Sequence, residues 1–198
     1  NGNLPEDFDL TMNVRYVYRP IFGPIDVEKN IGNLTLTYAM QIHACVLEID
    51  PETGVYEVVD YAVIDDCGNR INPQIVEGQV MGATAHALGA ATWETFAYDE
   101  EGNLLTPNFY DYHVPHALDM PPLKTGALES PSPFSALGTK GMGEGGGAGI
   151  HAVCAALQDA LRTAGGGIIH DSHNPYHRVF SILSDPEATR ADVKVESA

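Results

Sequence analysis

The chain has 198 residues, enough for one proper core, with 10 Lys and Arg against 27 Asp and Glu and a formal net charge of −17. Such acidity repels phosphate backbones and anionic lipid surfaces, which argues against nucleic-acid or membrane-surface binding and leaves small molecules and partner proteins. No apolar run approaches the ~20 residues needed for a membrane span, and the polar, acidic residues 1–7 do not read as a signal peptide.

Residues 1–33, punctuated by Pro5, Pro20, Gly23, Pro24 and Gly32, read as an extended arm ahead of a domain at 34–185 and a tail at 186–198. Residues 34–50 are rich in β-formers and predict a strand, residues 51–54 a turn with Gly54 in the left-handed position, and residues 55–65 the returning strand. Asn72 and Pro73 then suit the cap and first turn of a helix expected to run to about Trp93. Gly78, Gly82, Ala85 and Gly89 give that helix a side of small residues suited to close backbone packing. A second short hairpin is expected at 98–105, and the Pro-rich stretch 115–133 reads as extended. Ile150, Val153, Cys154, Leu157 and Leu161 recur at helical spacing, with Gly165 as a stop. An antiparallel hairpin with helices following it argues for an α+β fold.

The chemistry concentrates in residues 138–149, where Glu144 stands among glycines just before the last predicted helix. Glycines allow positive φ and let a bulky partner approach the main chain; a helix start adds unpaired N–H groups and the positive end of a dipole. Gly141, Gly143 and Gly146 match the dinucleotide pattern G-x-G-x-x-G in form only. No apolar strand precedes them and no acidic residue follows at the ribose-binding spacing. Lys140 precedes the glycines, where a phosphate-binding loop needs it after them. A structural glycine turn explains part of the pattern but leaves Glu144 without a role.

His170, His173 and His177 have a spacing that would hold zinc on a helix, but Pro175 interrupts it, so loop histidines are the simpler reading. His113 and His116 flank Pro115 and read as packing or surface residues. Cys45, Cys67 and Cys154 stand at no metal or redox spacing and read as reduced, buried thiols, which points to a reducing, cytoplasmic setting. An iron–sulfur cluster held by this chain alone would want four suitably spaced ligands.

Four segments carry a resemblance. They are Val63-Ile64-Asp65-Asp66-Cys67-Gly68-Asn69-Arg70-Ile71-Asn72-Pro73, Val76-Glu77-Gly78-Gln79-Val80-Met81-Gly82, Pro131-Ser132-Pro133, and Gly138-Thr139-Lys140-Gly141-Met142-Gly143-Glu144. In this order they resemble the molybdenum-binding large subunit of the xanthine oxidase family of molybdenum hydroxylases, in its C-terminal part only. The resemblance implies that Glu144 is the general base at the molybdenum site. It would activate a water-derived oxygen for attack on an electron-poor carbon of an aldehyde or N-heterocycle. It further implies that Gln79 hydrogen-bonds the pterin and that Lys140, Gly141, Met142 and Gly143 line the cofactor side of their loop. His86-Ala87 stands where many members carry Gln-Gly near the metal, which makes His86 a candidate pocket residue. The same resemblance implies a molybdenum–molybdopterin cofactor in its cytosine dinucleotide form, [2Fe–2S] clusters and FAD on partner chains, and either a split subunit whose site another molybdopterin-binding chain completes or a fragment of a longer large subunit. The alternative is a non-catalytic glycine-loop module that binds a nucleotide or scaffolds a complex.

Overall fold

A computed structural model describes residues 11, 13–18, 25–32, 35, 37–143 and 147–186. Glu144, Gly145, Gly146 and residues 187–198 of the expected tail lie outside the described residues. The chain separates into two compact units, Asn1–Leu36 and Thr37–Ala198. In the first, Asp26 and Ile31 form an isolated antiparallel bridge.

The second unit has the element order β1 (Met40–Ile49), β2 (Tyr56–Asp66), α1 (Pro73–Thr92), β3 (Leu123–Ala127), α2 (Gly147–Ala164) and α3 (Tyr176–Ser184). Its sheet has strand order β1-β2-β3, with β1–β2 antiparallel and β2–β3 parallel. Mixed strands with separate helices give the α+β architecture. The expected hairpin is present, and Gly54 takes φ +74 at its turn. Among the described residues β1 starts at Met40, later than the expected position 34, because Met40 already pairs with Asp66 at the end of β2. Leu34 and Leu36 lie outside the described residues.

One irregularity serves the core. The β1–β2 register shifts between Val46 and Leu47, so that Val46 faces Asp60 and Leu47 faces Val58. Strand side chains alternate faces with a period of two, and an inserted residue reverses the parity. Tyr56 and Val58 therefore share the inner face with Tyr61, Val63 and Asp65. Onto that face pack Val80, Leu88 and Ala91 of α1, Val153, Leu157 and Leu161 of α2, and Val179 and Ile182 of α3, in one cluster.

α1 begins as its sequence dictates: the Asn72 side chain accepts from the Ile75 amide at 3.2 Å, with Pro73 opening the helix. Val80, Thr84, Ala87, Leu88 and Ala91 are its buried face. The small-residue side packs closely at one end only: a Cβ on Gly89 would stand 2.7 Å from the Pro115 Cγ, whereas one on Gly78 or Gly82 would meet no described heavy atom within 4 Å. Close approach between α1 and α2 falls to Gly149 of α2, where a Cβ would stand 2.6 Å from the Ala87 Cβ.

Two further elements depart from expectation. The Pro-rich stretch contains β3, whose parallel pairing with β2 is a long-range contact. α3 follows Pro175, which occupies its N-cap position; the proline starts a helix where a turn alone was expected. The second hairpin reduces to a single bridge between Tyr98 and Leu104, with Gly102 at φ +84.

Candidate functional site

The loop before α2 is fastened to the end of β2 by main-chain bonds. The Lys140 amide donates to the Cys67 carbonyl at 2.7 Å, and the Gly138 carbonyl accepts from the Asn69 and Ser132 amides at 3.1 and 3.0 Å. This closeness needs glycine at both crossings. Gly68 (φ +68) would place a Cβ 2.2 Å from the Gly138 carbonyl oxygen, and Gly138 (φ +69) would meet the Asn69 side chain at 2.7 Å.

A charged clamp completes the attachment. Asp66 accepts from the amides of Gly68 (2.9 Å) and Ser130 (3.1 Å), from the Ser130 hydroxyl, and from the Lys140 ammonium at 3.2 Å. Lys140 also donates to the Ser130 hydroxyl at 2.6 Å. The Lys140 and Asp66 side chains are only 10% and 14% exposed, so their attraction is little screened. The Ser130 hydroxyl foremost, with the amides and Lys140 adding to it, holds the Asp66 carboxyl well below its usual range against the opposing effect of desolvation. Ser130 entered the sequence reading only as part of a Pro-rich run. The Asp66-Cys67-Gly68 turn was the available signal, since an Asp two residues before a glycine amide favours such local bonds.

The fastened loop then presents its glycines. Gly141 is exposed, and a Cβ on it would meet no described heavy atom within 4 Å. At Gly143 the nearest described atom to such a Cβ is the Gln79 amide nitrogen, 4.0 Å away. Met142, between them, turns inward against the core cluster. Of the four loop residues picked out in sequence, Lys140 and Met142 thus anchor the segment, while Gly141 and Gly143 leave open backbone.

Gln79 lies on the outward stripe of α1, which carries Ile75, Gly78, Gly82 and His86 as well. His86 follows Gln79 by two helical turns on the same stripe, about 10 Å along the axis. The structure therefore brings Gln79 to Gly143 and puts His86 further along the same exposed face. Glu144 lies outside the described residues.

Beneath α2 runs a line of polar groups. The Gln41 side-chain nitrogen donates to Asp65 at 3.0 Å, so its oxygen accepts from His43 Nε2 at 3.0 Å. His43 Nδ1 is then left to accept from the Tyr61 hydroxyl at 3.0 Å, and that hydroxyl also lies 3.4 Å from the Gly149 carbonyl. Burial pushes the Tyr61 phenol up, so it stays a neutral donor. This line runs up to Gly149 in the first turn of α2.

The three cysteines are free thiols, and none belongs to the cluster of three metal-ligating groups found among the described residues. Burial pushes Cys45 up to about 11, as suits a packed thiol. His173 is occupied: its Nδ1 donates to the Ala90 carbonyl at 2.9 Å, and its Nε2 then accepts from the Thr95 hydroxyl at 2.8 Å. It is therefore not available to a zinc site with His170 and His177. No helix among the described residues is long and apolar enough to cross a membrane.

The residues present can accommodate a bulky group that accepts hydrogen bonds. An open glycine face borders a side-chain amide, and a Cβ at Gly141 or Gly143 would begin to fill the space. The family described as "Molybdopterin cofactor-binding domain" matches residues 7–121. The chain is 36% identical over 142 residues to the carbon monoxide dehydrogenase large chain of Afipia carboxidovorans, covering 71% of this chain and 18% of that one. It is 43% identical over 122 residues to the nicotine 6-hydroxylase large subunit of Paenarthrobacter nicotinovorans, covering 62% of this chain and 15% of the relative. Among solved structures, quinoline 2-oxidoreductase from Pseudomonas putida 86 superposes with a TM-score of 0.67 at 39% identity, over 72% of this chain and 18% of that one. The chain thus spans under a fifth of the length of these relatives. It belongs to the molybdopterin cofactor-binding domain family, within the large subunits of the molybdenum hydroxylases.

Proposed function

We propose that this chain supplies the Glu144 and Gln79 side of a molybdopterin site in a molybdenum-dependent hydroxylase or dehydrogenase. The observation that carries this reading is the Gln79 amide standing beside Gly143 on an otherwise open glycine face. When bound, the cofactor supplies two-electron oxidation with water as the oxygen source. Gln79 donates its side-chain N–H groups to acceptors on the pterin. Gly141 and Gly143 keep the backbone clear for the cofactor, and Lys140, drawn to Asp66 and Ser130, holds the loop still. Glu144 follows Gly143 in the chain and serves as general base, taking onto its carboxylate the proton released by the attacking oxygen. His86 contacts the cofactor or the substrate further along α1.

The substrate is an aldehyde, an N-heterocycle or a compound with a similarly electron-poor carbon. Similarity to nicotine- and quinoline-oxidising enzymes supports the heterocycle end of that range. The cofactor is the cytosine dinucleotide form. Electrons leave through [2Fe–2S] and FAD on partner chains, in keeping with only three cysteines in this sequence. The rest of the molybdopterin cavity is supplied by a further molybdopterin-binding chain or by further sequence of the same large subunit.

The test is to isolate the assembly through this chain, determine its molybdenum content and identify the companion polypeptides. Molybdenum in proportion to this chain, with a large-subunit companion lacking its own Gly-x-Gly-Glu loop, is the expected result. A molybdenum-free assembly carrying a bound nucleotide would contradict the proposal.

A further inference from the structure

The segment after α1 gathers three metal-ligating side chains. His113, His116 and Asp119 follow one another at intervals of three, and a turn closes on them when the Asp119 amide donates to the His116 carbonyl at 3.0 Å. His113 Nε2 lies 2.9 Å and His116 Nδ1 3.3 Å from the same Asp119 oxygen. One ligating atom from each of the three residues lies within 4.8 Å of the others. Donors ~2.1 Å from a shared tetrahedral ion stand ~3.4 Å apart, so small side-chain rotations would bring all three onto one ion.

The surroundings hold this arrangement in place. Pro115, between the two histidines, packs over Gly89 of α1, where a Cβ would stand 2.7 Å from the proline Cγ. The His113 ring meets Trp93 edge to face, with centroids 5.7 Å apart, and the two histidine rings are 5.5 Å apart. Next to them the Tyr112 hydroxyl donates to Glu94 at 2.5 Å. Asp119 also accepts from the His116 amide at 2.9 Å, and its side chain is 18% exposed. Ligands already held near their bound geometry lose little freedom on binding. Two imidazoles and one carboxylate, with a side open to solvent, suit a divalent d-block ion; calcium or magnesium would want oxygen donors throughout.

We propose that His113, His116 and Asp119 form a surface site for a divalent d-block cation of the zinc class, which ties the 113–119 turn together at the end of α1. The proposal does not depend on the cofactor face of α1.

The test uses the tag-free 198-residue chain. Zn²⁺ is titrated by calorimetry, and Cu²⁺ is titrated against the fluorescence of Trp93, the chain's one tryptophan. The expected results are saturable binding of one ion and quenching of Trp93 by Cu²⁺. His116→Gln, at a side chain 58% exposed, leaves metal-free circular dichroism and melting unchanged. It weakens both titrations by at least ~10-fold, the lower range for damage to a metal site. His113→Gln does the same, while His170→Gln with His177→Gln keeps wild-type binding. Absent Zn²⁺ binding, wild-type binding by His113→Gln and His116→Gln, or binding lost with His170 and His177 would each overturn the proposal.

Discussion

The Gln79 side-chain amide lies 4.0 Å from the point where a Cβ on Gly143 would stand. A helix and a loop distant in sequence thus meet at one surface, where a side chain at position 143 would stand against that amide. Gly143 does not need positive φ, so a larger residue there adds bulk without backbone strain. Gly143→Leu should keep the melting temperature, its stability change staying within the ~0.5 kcal/mol usual for exposed sites. Molybdenum in the isolated assembly should fall by ~10-fold or more, measured by elemental analysis.

Removing the clamp should loosen the loop from its base. Asp66→Asn loses the charge facing Lys140 and leaves that largely buried ammonium without its counter-ion. The expected loss is about 2–4 kcal/mol, read from chemical denaturation. Lys140→Met removes the buried charge with it and should cost less than Asp66→Asn.

The same carboxylate sets an acid limit. Its pKa is depressed on folding, chiefly by the Ser130 hydroxyl. Its stabilisation is therefore fully present above the unfolded value of ~3.9 and is lost as pH falls from there toward the folded value. Wild-type protein should lose stability below pH ~4 more steeply than Asp66→Asn. Melting curves across that range would read the difference.

Gly149 is required for contact, not for conformation. Gly149→Ala gains up to ~1 kcal/mol of helix propensity, but its Cβ would stand 2.6 Å from Ala87 and 3.1 Å from the Tyr61 hydroxyl. Overpacking of this kind costs ~1–3 kcal/mol, so a net loss is expected. Ala87→Gly in the same chain should recover part of it, which a double-mutant cycle would show as favourable coupling.

Local chemistry made much of the fold legible. Gly54 and Gly165 take positive φ as their turns require, Asn72 caps α1, and Val153, Leu157 and Leu161 face the core. β3 was hidden because only Leu123 within Leu-Lys-Thr-Gly-Ala is strongly apolar and its partner strand lies far back in the chain. α3 was hidden because Asn174-Pro175 signals a turn, whereas here Pro175 precedes a helix held by Val179 and Ile182. The candidate site divides in the same way. Gln79 and the glycines were picked out by resemblance, but the Asp66–Ser130–Lys140 clamp depends on tertiary approach that no spacing encodes. Along the small-residue side of α1, Gly89 packs against Pro115 while Gly78 and Gly82 stay bare, because composition does not say how far along a helix its neighbours reach.

The most direct test of the central claim replaces Glu144 by Gln in the intact assembly, keeping the side chain's shape while removing its basicity. Turnover should fall by ~10²–10⁴, the range typical of losing a general base, with molybdenum content unchanged. Turnover close to wild type in a fully molybdenum-loaded Glu144→Gln assembly would contradict the account.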